Sequence, residues 1–186
     1  MEIDRILYPI FSLGPNKRLA LWTIGCQKGC YNCANPELWV KNPKKNIPVE
    51  ILYHHIKQLA KNHPIEGITI TGGEPLDQLD ELKELLVLLN EITPDILLYT
   101  GYTLTKLTPE VVTFLKQNVA VVIDGRYIDN LNDNQAPLRG STNQNIYYFK
   151  EEYRPIYEEY LSQGRQVQNI FYHNHLISVG ISLRGK

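Results

Sequence analysis

From residue 49 to residue 124 the chain alternates between two hydrophobic periods, helical and extended. That alternation restricts the fold more than any other feature. Pro48 suits the start of a helix, and Val49, Leu52, Tyr53, Ile56 and Leu59 behind it recur at the helical period. Gly67-Ile68-Thr69-Ile70-Thr71 is a β-branched run broken by Gly72-Gly73. Asp77 is the expected N-cap of the next helix, whose Leu79, Leu82, Leu85, Leu86 and Leu89 form one face. A strand is expected at 95–99, ending in Thr100-Gly101. Thr108-Pro109-Glu110 supplies a cap, a first-turn proline and a first-turn acid for a third helix through Lys116. Residues 119–124 are nearly all apolar, as in a strand covered on both faces. The pattern predicts an α/β fold with a parallel sheet, left open or wound into a partial (β/α) barrel.

The flanks add to this core. Residues 3–11 and 17–24 read as a strand pair joined by Leu13-Gly14-Pro15-Asn16, and 26–47 as loop. Beyond residue 149 a helix is expected at 151–161, with Tyr153, Tyr157 and Tyr160 on one packing face. A hairpin at 166–183 is expected to turn at His173-Asn174-His175. A chain of 186 residues fits one domain, so we divide it into a core, 1–149, and an extension, 150–186, packed on it.

Cys26, Cys30 and Cys33 are the only cysteines, and they stand in one short loop. Three thiolates without a fourth fit a metal centre left one protein ligand short, the arrangement of sites that keep a position for substrate. In a [4Fe–4S] cube, three cysteines leave one iron free. The other reading is zinc completed by a distant His or by Asp77, although zinc ligands more often come as two separated pairs. In parallel α/β folds active groups collect at the carboxyl ends of the strands. The cysteine loop, Gly72-Gly73-Glu74, Thr100-Gly101 and Asp124-Gly125 are all expected there. The glycines allow close backbone approach, and Glu74 can accept from a ligand ammonium.

The Cys-x3-Cys-x2-Cys triplet followed, after the next strand, by Gly72-Gly73-Glu74-Pro75 resembles the radical S-adenosylmethionine (SAM) superfamily. Further motifs are similar to those of the anaerobic ribonucleoside-triphosphate reductase activating proteins. These are Cys33-Ala34-Asn35-Pro36-Glu37-Leu38-Trp39, Tyr99-Thr100-Gly101-Tyr102, Asp124-Gly125-Arg126-Tyr127 and 138–144, the whole match spanning 3–149. The resemblance implies a partial barrel of the radical SAM type, a [4Fe–4S] cluster on Cys26, Cys30 and Cys33, and SAM on its open iron. It implies a SAM pocket lined by Thr71, Gly72, Gly73, Glu74, Thr100 and Asn143, with Asn35 and Trp39 shaping the loop. No catalytic residue is implied beyond the cluster and SAM. The implied activity is formation of a 5′-deoxyadenosyl radical that abstracts hydrogen from a protein substrate, a glycyl radical enzyme. Many superfamily members carry an aromatic residue before the third cysteine, where this chain has Asn32.

Two other functions fit the same residues: a radical SAM enzyme acting on another peptide or a small metabolite, and a non-catalytic metal module that binds a partner. Lys41, Lys44 and Lys45 read either as a solvated loop or as a docking patch for a flavodoxin or ferredoxin donor. Arg126 and Arg139 read as surface ion-pair partners or as contacts for a substrate protein. A net charge of −1 offers nothing for nucleic acid or a membrane surface. The acidic start Met1-Glu2-Ile3-Asp4-Arg5 and the reduced thiols lead us to expect a cytoplasmic protein.

Overall fold

The computed structural model describes residues 1–181 and Leu183; residue 182 and residues 184–186, which end the expected hairpin and extension, lie outside the described residues. Six strands form an open mixed sheet in the order β1 (Ile3–Ile10), β2 (Arg18–Thr23), β3 (Gly67–Gly72), β4 (Ile96–Tyr99), β5 (Val121–Asp124), β6 (Asn145–Tyr148). Strands β2 to β5 run parallel, and the outer strands β1 and β6 pair antiparallel to them. The sheet does not close into a barrel. Helices α1 (Val49–Asn62), α2 (Leu79–Leu89) and α3 (Pro109–Asn118) make the crossovers between the parallel strands.

Successive strand residues face opposite sides, and here both sides are covered. Leu19, Leu21, Ile68, Ile70, Leu98 and Val122 pack with the apolar faces of α1 and α2 and with Leu115 of α3. On the other face Leu97, Val121 and Ile123 pack against Tyr157 and Tyr160 of α4 (Arg154–Ser162). Ala20 and Trp22 lie under Val179 of a two-stranded hairpin, β7 (Val167–Tyr172) and β8 (His175–Gly180). The extension thus packs on one side of the sheet.

It is also fastened there through charge. Arg18, fully buried, donates to Asp95 Oδ2 at 2.7 Å, to Thr69 Oγ1 at 2.7 Å and to the Ile68 carbonyl at 2.7 Å. Tyr157 donates its hydroxyl to Asp95 Oδ1 at 2.7 Å. Gly67 is required beside them, because a Cβ there would lie 2.2 Å from Arg18 Nη1.

Two expectations are corrected. Asp77 does not cap α2: it belongs to a 3-10 turn, Pro75–Gln78, and Gln78 holds the cap position without a side-chain bond. The strand expected from residue 119 starts at Val121, since Val119 closes α3. Thr108 does hold the cap position of α3, although its side chain makes no capping bond. Among the described residues no helix is long and apolar enough to cross a membrane.

Candidate metal centre and its cavity

The parallel strands deliver their carboxyl ends to one cavity of about 480 Å³. Cys26, Cys30 and Cys33 line it after β2, Thr71 to Glu74 after β3, Thr100 and Gly101 after β4, and Gly125 after β5. The sequence-derived grouping therefore holds in space except for Asp124, which is buried and accepts from Leu104 N–H and Asn145 instead of lining the cavity.

The cysteine loop is shaped by backbone bonds at both ends. Gly25 N–H donates to the Leu38 carbonyl at 2.8 Å and Cys26 N–H to the Trp39 carbonyl at 3.0 Å. Cys33 N–H closes a turn on the Cys30 carbonyl at 3.2 Å. Within that turn Asn32 has φ +53°, a left-handed conformation that asparagine tolerates and a bulky aromatic does not. Lys28 N–H points at Cys26 Sγ at 3.5 Å, and Asn35 N–H at Cys33 Sγ at 3.4 Å. Such donors favour a thiolate. Burial pushes the Cys26 thiol up, and the Lys28 amide pulls it back.

Gly72 and Gly73 are glycines for a reason internal to the chain. A Cβ on Gly72 would lie 2.5 Å from Thr23 N, and one on Gly73 would lie 2.4 Å from the Gly25 carbonyl oxygen. Gly73 N–H donates to the Thr23 carbonyl and Glu74 N–H to the Gly25 carbonyl, each at 2.8 Å. The turn after β3 is thus docked directly on the base of the cysteine loop.

Glu74 is 1% exposed, and its carboxylate, which the sequence offers to a ligand ammonium, is held by three donors of the chain itself. Thr100 Oγ1 and Leu76 N–H donate to Oε1 at 2.7 and 3.1 Å, and Gly101 N–H to Oε2 at 2.7 Å. Burial raises its pKa, against the pull of these donors. Glu74 therefore ties the end of β4 to the turn after β3.

Asn35 lines the cavity and accepts at Oδ1 from Arg5 at 3.0 Å. Asn143 is not among the lining residues; its neighbour Gln144 is. Asn143 Nδ2 donates to the Arg126 carbonyl at 2.8 Å, and its Oδ1 is buried without a partner. Several contributors escaped the sequence reading. Lys28 Nζ sits 2.9 Å from the centre of the Tyr102 ring, and Tyr102 donates to Asp77 Oδ1, a bond that pushes its pKa up to about 12. Arg126, read as an ion-pair partner or a contact for a substrate protein, is exposed and donates to the Gly29 carbonyl at 3.1 Å. Arg139 donates to the Gln144 carbonyl at 3.1 Å. The signal for Lys28 and Tyr102 was their place, one between two cysteines and the other beside Thr100-Gly101.

Among the described residues no three His, Cys, Asp or Glu side chains converge as ligands of a single ion. Cys26, Cys30 and Cys33 instead line one shared cavity, and a cube takes each thiolate on a different iron, so its ligands need not meet at a single point. The donor set and its N–H···S bonds fit such a cluster.

The family described as a 4Fe-4S single cluster domain matches residues 12–147. The anaerobic ribonucleoside-triphosphate reductase-activating protein of Enterobacteria phage T4 is 32% identical over 151 residues, 79% of this chain and 94% of that protein. The protein of the same name from Vibrio cholerae is 31% identical over 149 residues, 76% of this chain and 95% of its own length. That of Escherichia coli (strain K12) is 27% identical over 150 residues, 77% and 96% of the two chains.

Proposed function

The chain belongs to the family of anaerobic ribonucleoside-triphosphate reductase-activating proteins and carries a 4Fe-4S single cluster domain, and we propose that it is a radical SAM activase of a glycyl radical enzyme. The substrate protein we assign is an anaerobic ribonucleoside-triphosphate reductase. One observation carries the reading: three thiols and the Gly72-Gly73-Glu74 turn share a cavity to which four parallel strands contribute.

In this reading Cys26, Cys30 and Cys33 hold a [4Fe–4S] cluster. Asn35, Thr71, Gly72, Gly73 and Thr100 line the adjoining space for SAM; Asn143, outside that lining, braces the loop through the Arg126 carbonyl. When bound, the cluster and SAM would supply 5′-deoxyadenosyl radical chemistry directed at a glycine Cα of the substrate protein. The chain's own part is placement. The N–H groups of Lys28 and Asn35 stabilise negative charge on two of the sulfurs, as hydrogen bonds around metal ligands commonly do. Glu74 keeps Thr100 and Gly101 in register with the turn.

Reduced, cluster-loaded protein incubated with SAM is expected to release 5′-deoxyadenosine and methionine. Zinc without iron in anaerobically purified protein would end the reading.

For the electron donor we propose a flavodoxin or ferredoxin docking at Lys41 and Lys44, both exposed beside the cluster loop; Lys45 pairs with Asp4. Reversing both charges in a Lys41→Glu/Lys44→Glu variant should slow reduction by flavodoxin about tenfold at low salt, with the difference vanishing at high salt. Equal rates at every ionic strength would exclude the patch.

A further inference from the structure

The extension reaches the cavity. Ile177, Ser178, Val179, Gly180 and Ile181 all line it. Along a strand, side chains alternate between faces, so a space that meets four successive residues of β8, Ile177 to Gly180, meets the strand along its edge. The other edge of β8 is taken by β7, and among the described residues these two strands pair only with each other.

The orientation is fixed from two sides. Gln168 of β7 accepts from Phe11 N–H at 2.9 Å and donates to the Pro9 carbonyl at 3.0 Å, which sets β7 beside the end of β1. Val179 packs among Leu7, Ile10 and Trp22, and residues of β8 but none of β7 line the cavity, which puts β8 on the inner side, toward the cysteines. His173 and Asn174, with φ of 45° and 63°, form a two-residue turn, and Tyr172 pairs with His175, Ile170 with Ile177 and Gln168 with Val179. In such a hairpin the pair flanking the turn is hydrogen-bonded, and the pattern then alternates. Leu176, Ser178 and Gly180 therefore turn their N–H and C=O groups away from β7, to the open edge.

We propose that this open edge of β8 receives an extended, glycine-bearing segment of the substrate protein as an added strand. The inference rests on the activase reading above. A glycine offers no side chain by which to be held, so backbone groups are the natural grip on that residue, and an unpaired strand edge supplies them without regard to sequence. The rail lies beyond residue 147, outside the segment matched by the cluster-domain family, so it is a feature of this chain's extension.

Amide hydrogen exchange on the cluster-loaded protein, with and without the anaerobic reductase, tests it. Leu176, Ser178 and Gly180 amides should gain protection when the reductase is added. A Ser178→Pro variant removes one edge donor and places a ring on the open edge, while the bonds of Ile177 and Val179 to β7 remain. It should raise the reductase concentration for half-maximal glycyl radical formation about tenfold, more than it lowers the rate at saturation. Ser178→Ala should stay within about twofold, as the N–H is kept. Wild-type saturation by Ser178→Pro, or unchanged exchange at those amides, overturns the proposal. If Ser178→Pro melts early, the wild-type exchange result decides. Wild-type protein that cleaves SAM but never places a radical on the reductase overturns the activase reading, and this inference with it.

Discussion

Replacing Asp95 with alanine is expected to destabilise the fold by about 3–5 kcal/mol, the cost of leaving a buried charge without its partner. Arg18 has no access to water in the folded state, and its guanidinium bonds converge on Asp95, Thr69 and backbone carbonyls. The same substitution strips Tyr157 of its acceptor and so loosens α4 from the sheet. Urea unfolding should show the midpoint falling with little change in slope. Tyr157→Phe, which removes only one hydrogen bond, should cost about 1 kcal/mol. A paired Arg18→Met/Asp95→Leu exchange should recover most of the loss, because removing both charges also removes their desolvation. An Asp95→Ala protein within about 1 kcal/mol of wild type would mean that Arg18 finds water or another anion, contrary to the packing described.

Cys33→Ala should have the opposite profile. Cys33 is partly exposed and its sulfur accepts only a long bond from Asn35 N–H, so with both proteins cluster-free the unfolding midpoint should hardly move. Bound iron and the visible thiolate-to-iron absorption should be lost. Formation of 5′-deoxyadenosine should fall by at least about 10⁶-fold, the lower range of an enzyme's whole acceleration, since every step depends on that centre. Normal iron content with near-normal turnover would show that Cys33 is not a ligand.

The sequence made the sheet legible where local patterning coincides with tertiary packing. The continuous apolar runs of β3 and β5 are short, β-branched and bounded by glycine, and they read directly as buried parallel strands. β6 was not legible: four residues, Asn145 to Tyr148, carry no alternation, and only pairing with β5 makes them a strand. Asp77 looked like a cap because an acid before a leucine-rich helix normally is one. A 3-10 turn after Pro75 shifts the helix start, and Tyr102 takes the carboxylate. At the site, residue type and spacing were enough to find the cysteines and the glycine turn. The purpose of Gly72 and Gly73 was not visible, since the groups that exclude a Cβ there belong to residues 22–25, about fifty positions earlier. The buried Arg18–Asp95 pair spans 77 positions, and the meeting of β8 with the cysteines spans still more. Such contacts depend on the completed topology and leave no local trace.

The decisive measurement is electron paramagnetic resonance on anaerobic, iron- and sulfide-reconstituted protein, reduced with dithionite and mixed with SAM and an anaerobic ribonucleoside-triphosphate reductase. The account predicts a glycyl doublet on the reductase, with 5′-deoxyadenosine formed alongside it. A fully loaded and reduced protein that yields neither the doublet nor 5′-deoxyadenosine would contradict it.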